Sequence, residues 1–310
     1  MNCKLLPPFP MTQDLYTLDR LSSRELLDAG HATPAKLAVI GFPVAHSLSP
    51  QMHQPALDEA GIHARYIKLE VEPECVARAF ARMRELGFIG CNVTVPHKFE
   101  ALDACDEIDP GAAEMGAVNT VRFDADATRG FNTDGYGFEE AVKETLGLSL
   151  AGSSVLIAGA GGGAGGAIAA HCARQGVERL ILANRSLDKI EELASRIHRY
   201  HGDVKIVVAG LSEPGLAKLA ASADLLVNTS SLGLKESDPS PLPEECFTAR
   251  HAVYDTIYKP GTAFQRAAMA AGARVGTGKA MLLHQGVKAF HIWFPGSDPL
   301  TAMRRGLEGT

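Results

Sequence analysis

Val155-Leu-Ile-Ala-Gly159-Ala-Gly161-Gly162-Gly163-Ala164-Gly165-Gly166 runs from an apolar stretch of strand length into a glycine cluster, then into a sequence that reads as helix over residues 167–174. A second strand is expected at residues 179–183, so strand, turn, helix and strand follow in the order of a dinucleotide-binding unit. Gly159 permits the tight turn and Gly161 lets backbone approach a pyrophosphate. Ala164 is read as keeping the helix close to the sheet, and unpaired N–H groups at the positive helix end face the phosphates. A glycine-rich connector that binds nothing is the bland alternative, and the flanking strands and helix argue against it. Residues 145–173 also lack Asp, Glu, Lys and Arg over a length that could cross a bilayer. Their glycines would weaken a helix and expose backbone in lipid, so no membrane partner is expected.

The end of the second strand selects the cofactor. An NAD site places Asp or Glu there for the ribose 2′-hydroxyl, whereas this chain has Asn184 and Arg185, with Lys189 one helical turn further on. A carboxylate would repel a 2′-phosphate, and a guanidinium holds it through charge-assisted bonds of roughly 1.5–3 kcal/mol each. The pattern points to NADP, against the alternative of a solvated helix start.

At 310 residues and 46% hydrophobic, the chain can bury a large core in two domains. A net charge of −6, without a basic stripe interleaved with aromatics, argues against nucleic acid as a partner. Six scattered cysteines without CxxC spacing fit free thiols in a reducing compartment, which makes the cytoplasm the expected location. Residues 1–10 read as a loose tail, and residues 16–29 as a short helix started by Asp19 or Ser22.

From Leu37 onward, strand-like and helical runs alternate, the mark of an α/β protein with mainly parallel sheets. Strands are expected at residues 37–40, 66–69, 89–95 and 118–122. Val76, Phe80, Met83 and Leu86 form one helical stripe between them, and a long helix follows over residues 133–146. Further strands at residues 206–208, 225–228 and 252–254 continue the nucleotide unit. Met281, Leu282, Gln285, Ala289 and Ile292 then recur at helical spacing, so the terminal helices are expected to pack back on the first half. The expected division is an extension over residues 1–36, one domain from residues 37–149 and 277–310, and a Rossmann domain over residues 150–276. A cleft lies between the two domains.

Polar motifs fall at the carboxyl ends of the first-half strands, where ligands of open α/β sheets bind. In His46-Ser47-Leu-Ser49-Pro50, Ser49 suits an N-cap and Pro50 the first helical position, with Ser47 beside the positive helix end, an arrangement for a carboxylate. An ordinary cap is the alternative. Asn92 and Thr94 alternate on an otherwise apolar strand that stops at Pro96, with Lys98 at its mouth; polar groups there cost stability unless paired. Asn119, Asn132 and Asp134 lie in the glycine-containing segments Gly116–Thr120 and Gly130–Gly135 and singly could be turn chemistry.

In order, HSLSP, NVTVPHK, GAVNT, GFNTDG, GAGGG, NRS, NTSSLG, YDTIYKP and MLLHQG resemble the shikimate dehydrogenase family, from about residue 37 to residue 295. The resemblance implies a discontinuous α/β substrate-binding domain, an NADP-binding Rossmann domain and reversible oxidation of shikimate to 3-dehydroshikimate. It implies that Ser47 and Ser49 bind the substrate carboxylate. It further implies that Asn92, Thr94, Asn119, Asp134 and Gln285 hold hydroxyls, that Tyr258 lies near substrate, and that Lys98 and Asp134 are the catalytic pair. On the cofactor side it implies Gly159, Ala160, Gly161, Gly162, Gly163 and Ala164 at the turn and Asn184, Arg185, Ser186 and Lys189 at the 2′-phosphate. Thr229, Ile257, Gly278 and Met281 are implied to line the rest of that site. Ala280 and the extra Gly165 and Gly166 depart from the common pattern.

Removing a proton as a carbonyl forms, or supplying one in reverse, falls to Lys98, oriented by Asp134. An ordinary lysine is protonated at neutral pH and suits the reduction direction. No metal is expected, and His46, His53 and His97 lack ligand spacing and read as cap, surface or core residues. A quinate or aminoshikimate paralogue is the near alternative, and a non-catalytic NADPH sensor the remote one. A monomer or homodimer is expected.

Overall fold

Residues 15–309 are described by a computed structural model containing two sheets, each covered by helices on both faces. The first is built from β1 (Leu15–Thr17), β2 (Ala35–Gly41), β3 (Arg65–Glu70), β4 (Gly90–Val93), β5 (Glu107–Ile108), β6 (Thr120–Phe123) and β7 (Thr128–Phe131). With it come α1 (Arg24–Leu27), α2 (Ser49–Glu59), α3 (Val76–Glu85), α4 (Lys98–Asp103), α5 (Pro110–Met115) and α6 (Asp134–Leu146). The second sheet holds β8 (Ser154–Ala158), β9 (Arg179–Asn184), β10 (Lys205–Gly210), β11 (Leu225–Asn228), β12 (Ala252–Asp255) and β13 (Arg274–Thr277). Its helices are α7 (Gly163–Arg174), α8 (Leu187–Tyr200), α9 (Leu216–Ala220) and α10 (Ala263–Ala270), and the chain ends in α11 (Gly278–Trp293) and α12 (Leu300–Glu308).

Strand order in the second sheet is β10-β9-β8-β11-β12-β13, parallel throughout. Successive residues of β8 go to opposite faces: Val155 and Ile157 pack under α7 and α6, Leu156 and Ala158 under α9 and α10. Because both faces are buried, the strand reads as an unbroken apolar run. Order reverses at β8, whose carboxyl end opens into the glycine turn, the switch point at which such sheets take ligands.

The first sheet runs β1-β3-β2-β4-β6-β7-β5, with β6 antiparallel to both its neighbours. Val76, Phe80 and Met83 are buried on one face, while Leu283, Val287, Phe290 and Trp293 of α11 cover the other against Leu37, Val39 and Met52. The terminal helices thus return to the first sheet. Among the described residues, no helix is long and apolar enough to cross a membrane.

Several local expectations need correction. Residues 16–29 form a short strand, a 3-10 turn over Leu18–Ser22 and a four-residue helix capped by Ser23, whose side chain accepts from Leu26 N–H. The strand wins because Arg65 donates to Tyr16 Oη and to Asp28 Oδ1, both at 2.9 Å, tying the segment to β3. The strand expected at residues 89–95 stops at Val93, where Thr94 N–H turns to Ile40 O and the chain enters the cis Val95-Pro96 bond. Strands β5, β7 and β13 were not anticipated. The loose tail expected over residues 1–10 lies outside the described residues.

Candidate active site

Two loops leave the sheet side by side, after β2 and after β4, and are stitched by the bond from Phe42 N–H to Val95 O at 3.1 Å. Ser49 is not the N-cap of α2 but its first residue, with Leu48 at the cap and Pro50 second. Ser47 supplies the side-chain cap: its Oγ accepts from Ser49 N–H at 3.3 Å and donates to Ser49 Oγ at 3.2 Å. Two hydroxyls therefore stand at the positive end of an eleven-residue helix, a setting for an anion.

The second loop delivers Lys98 as the first residue of α4, and α6 delivers Asp134 as its first residue. Lys98 Nζ lies 2.6 Å from Asp134 Oδ2, with the two side chains 12% and 7% exposed. That burial strengthens the pair over a surface one. Asn119 Nδ2 donates to Asp134 Oδ1 at 2.8 Å and to Thr133 Oγ1 at 3.0 Å, so both carboxylate oxygens are held. Asn92 is buried and bonded through Thr120 to the same group, whereas the Thr94 hydroxyl makes no hydrogen bond to a described residue. Lys98, Asp134, Asn119 and Asn92 are thus one network. Thr120 and Thr133, which bridge its members, were missed; both follow or flank an asparagine in the motifs that were quoted.

Across from Lys98 is the glycine turn. A methyl group on Gly163 would lie 3.6 Å from Lys98 Cδ, so the proposed acid/base meets the start of α7. Helix α6 presses on α7 where Gly135 allows the His171 ring to approach, and His171 Nε2 is bonded to Glu139 at 2.8 Å. Gly159 has φ +86°, and a side chain there would strike Ser230 backbone. At Gly161 a Cβ would sit 2.6 Å from Asn184 Nδ2 and 3.1 Å from Lys189 Cβ, so only glycine keeps that approach open. The close contact assigned to Ala164 belongs to Gly165 instead: a Cβ there would be 2.6 Å from Thr229 Oγ1 and 2.7 Å from Gly159 O, while Ala164 is half-buried. This explains the extended glycine run. Gly166 N–H makes the first bond within α7, to Gly162 O at 2.7 Å, leaving the N–H groups of Gly163, Ala164 and Gly165 facing out of the turn.

Arg185 and Lys189 are exposed and form no ion pair among the described residues, and the Ser186 hydroxyl is not used to cap α8. Unneutralised cations beside a glycine turn are a phosphate-binding chemistry. A cavity of about 220 Å³ lies beside them, lined by Gly161, Gly162, Lys189, Arg196, Phe99 and Met115 among others. Thr229 Oγ1 donates to Ala158 O at 3.0 Å at the sheet end, next to Ala160 in the same turn. Gly278 packs on Thr256 and Ile257 so closely that a Cβ would overlap the Thr256 carbonyl. Met281 is buried in the second-sheet core, and its N–H donates to Tyr254 Oη at 3.1 Å; Ala280 packs on that core too.

The remaining two residues are looser. Tyr258 is 43% exposed, beyond β12, where Asp255 ties the loop by accepting from Asn228, Thr262 and Gln265. Gln285 sits where α11 crosses α6 at Gly137, and its Nε2 donates to Leu282 O at 2.8 Å. Of the histidines, His97 is buried with Nε2 2.7 Å from Val71 O, His46 is exposed, and His53 is buried. No cluster of His, Cys, Asp or Glu suited to a metal occurs among the described residues.

Comparison with known proteins agrees with this geometry. Residues 39–121 match the shikimate dehydrogenase substrate binding domain, and residues 140–231 match the shikimate / quinate 5-dehydrogenase family. The chain is 42% identical to a shikimate dehydrogenase (NADP(+)) of Rubrobacter xylanophilus, covering 88% of this chain and 95% of that one. Among solved structures, shikimate 5-dehydrogenase of Thermus thermophilus in complex with NADP(H) and shikimate superposes with TM-score 0.77 at 37% identity, covering 89% and 99% of the two chains. Quinate dehydrogenase of Corynebacterium glutamicum in complex with NAD is also similar, with TM-score 0.78 at 29% identity and 88% and 98% coverage.

Proposed function

Because this chain belongs to the shikimate dehydrogenase family, we propose that Lys98 and Asp134 carry the proton transfer of its NADP-dependent interconversion of shikimate and 3-dehydroshikimate. The carrying observation is the buried 2.6 Å Lys98–Asp134 pair facing the first residue of the glycine-turn helix. Lys98 Nζ gives a proton to the ring carbonyl oxygen as the alcohol forms, and takes it back in the oxidation. Asp134 holds that ammonium in place and accepts from a neighbouring hydroxyl. Ser47 and Ser49 donate to the carboxylate, and Asn92, Thr94, Asn119 and Gln285 read the hydroxyls, with Tyr258 covering the ring from the second half.

When bound, the nicotinamide supplies the hydride. The turn from Gly159 to Ala164 takes the pyrophosphate, and Asn184, Arg185, Ser186 and Lys189 take the 2′-phosphate. Support comes from the space kept at Gly161 and from the two cations without carboxylate partners. Thr229, Ile257, Gly278 and Met281 shape the floor beneath, the last two through backbone rather than side chain.

We assign residues 37–149 and 277–310 to substrate binding and residues 150–276 to the cofactor. The return of α11 to the first sheet supports this division, while β1 and the start of β2 add residues of the expected extension to that sheet and Thr277 closes β13 of the second. The proposed setting is the cytoplasm, as a monomer or homodimer, a reading favoured by free thiols at Cys91, Cys105, Cys172 and Cys246.

Lys98→Ala tests the central claim. It should lower kcat by about 10²–10⁴ with the shikimate KM nearly unchanged. Near-normal turnover would mean that another group moves the proton. Shikimate, quinate and aminoshikimate assayed with both nicotinamide cofactors define the selectivity.

A further inference from the structure

Tyr66 lies within β3, marked by no motif, yet its hydroxyl donates to Asn92 Oδ1 at 2.6 Å. Its ring stacks on His53, with centroids 4.4 Å apart and planes 3° from parallel, and both side chains are buried. The direction of every bond from this hydroxyl to the proposed catalytic pair follows from donor and acceptor chemistry. Thr133 N–H can only donate, and it lies 2.8 Å from Asn119 Oδ1. Asn119 Nδ2 therefore faces Asp134. Thr120 Oγ1, 3.0 Å from the same Asn119 oxygen, must donate to it, which leaves its lone pairs to accept from Asn92 Nδ2 at 3.1 Å. The Asn92 oxygen is then turned to Tyr66, which must donate. Burial raises the phenol well above its ordinary range, so it stays a donor across the working pH. The Ser49 side chain lies near the same phenol and lowers its pKa slightly against burial, and its Oγ accepts from Ser47.

We infer that Tyr66 is a positioning residue: its hydroxyl locks the Asn92 amide in one orientation. The inference rests on the reading of Asn92 as a substrate ligand. An amide free to flip presents a hydroxyl with an acceptor or a donor in turn, and a locked one presents a single pattern. Tyr66 on the oxygen, and Thr120 Oγ1 and the Asn119 carbonyl on the nitrogen at 3.1 and 3.4 Å, make the lock.

The test is a double-mutant cycle on steady-state kinetics with shikimate and NADP. Tyr66→Phe keeps the ring on His53 and removes one hydrogen bond, so it should raise the shikimate KM about fivefold with kcat and the NADP KM each within about twofold. Asn92→Ala should raise the shikimate KM further, and adding Tyr66→Phe to it should change KM by less than about twofold, since the group it acts through is gone. Thr120→Val removes one of the two acceptors on the amide nitrogen and provides a separate arm: it should show the same non-additivity with Asn92→Ala. A normal shikimate KM in Tyr66→Phe, or effects that multiply in full on the Asn92→Ala background, would overturn the inference alone. An unchanged shikimate KM in Asn92→Ala would overturn both the inference and the reading beneath it.

Discussion

His53 should make the protein lose stability on acidification, by an amount the structure sets. The ring is fully buried, neither nitrogen makes a well-formed hydrogen bond among the described residues, and Tyr66 and Trp293 enclose it at 4.4 and 5.5 Å between centroids. Burial disfavours the imidazolium and lowers the pKa from 6.5 to about 3, outweighing the opposite effect of the Asn92 side chain. Between those two values the unfolded chain binds a proton that the folded chain refuses, so stability rises with pH across the window and falls as the solution is acidified. From pH 7.5 to pH 5, linkage at this site removes about 2 kcal/mol. At about 2 °C per kcal/mol for a chain of this size, that is about 4 °C of melting temperature. The comparison is between the parent and His53→Gln, melted at both pH values. Other titrating groups, including His171 and His251, are shared and cancel, and the absolute stability of the variant is immaterial. The variant should lose about 4 °C less than the parent; equal losses would show that His53 is not held neutral.

Arg185→Ala should weaken NADPH by about 10- to 100-fold, the loss of one or two charge-assisted bonds, with NADH scarcely altered; equal losses for both would remove the NADP assignment from this residue. Ser47→Ala should raise the shikimate KM by about tenfold with little change in kcat, since one hydroxyl to the carboxylate is lost; no change would place the carboxylate elsewhere.

What could be read beforehand was whatever is local. Residues 153–158 announce a strand because both faces of β8 are buried, and the NVTVPHK segment announces a site because polar residues interrupt an apolar strand at its end. The miscast pieces depend on distant partners. Leu15–Thr17 is a strand only because β3 offers it an edge and Arg65 a clamp. Strand β13 carries Arg274 and Gly276, poor strand markers; Gly276 is required because the Tyr254 ring and Thr145 lie where its side chain would be. Gly165 outranks Ala164 because of Thr229, more than sixty residues later. Tyr66 was silent for the same reason: its hydroxyl acts on Asn92, and nothing in RYIKLE records that.

The course of α11 bears on how the molecule is made. Trp293 reaches back to donate to Val121 O at 2.9 Å, and its neighbours on α11 help seal the face of the first sheet that holds Leu37 and Val39. A ribosome therefore finishes all six strands of the second sheet before it releases the residues that seal the first. The later-encoded half can close early, while the earlier-encoded half waits with part of an oily face open, in need of shelter from aggregation, until α11 arrives.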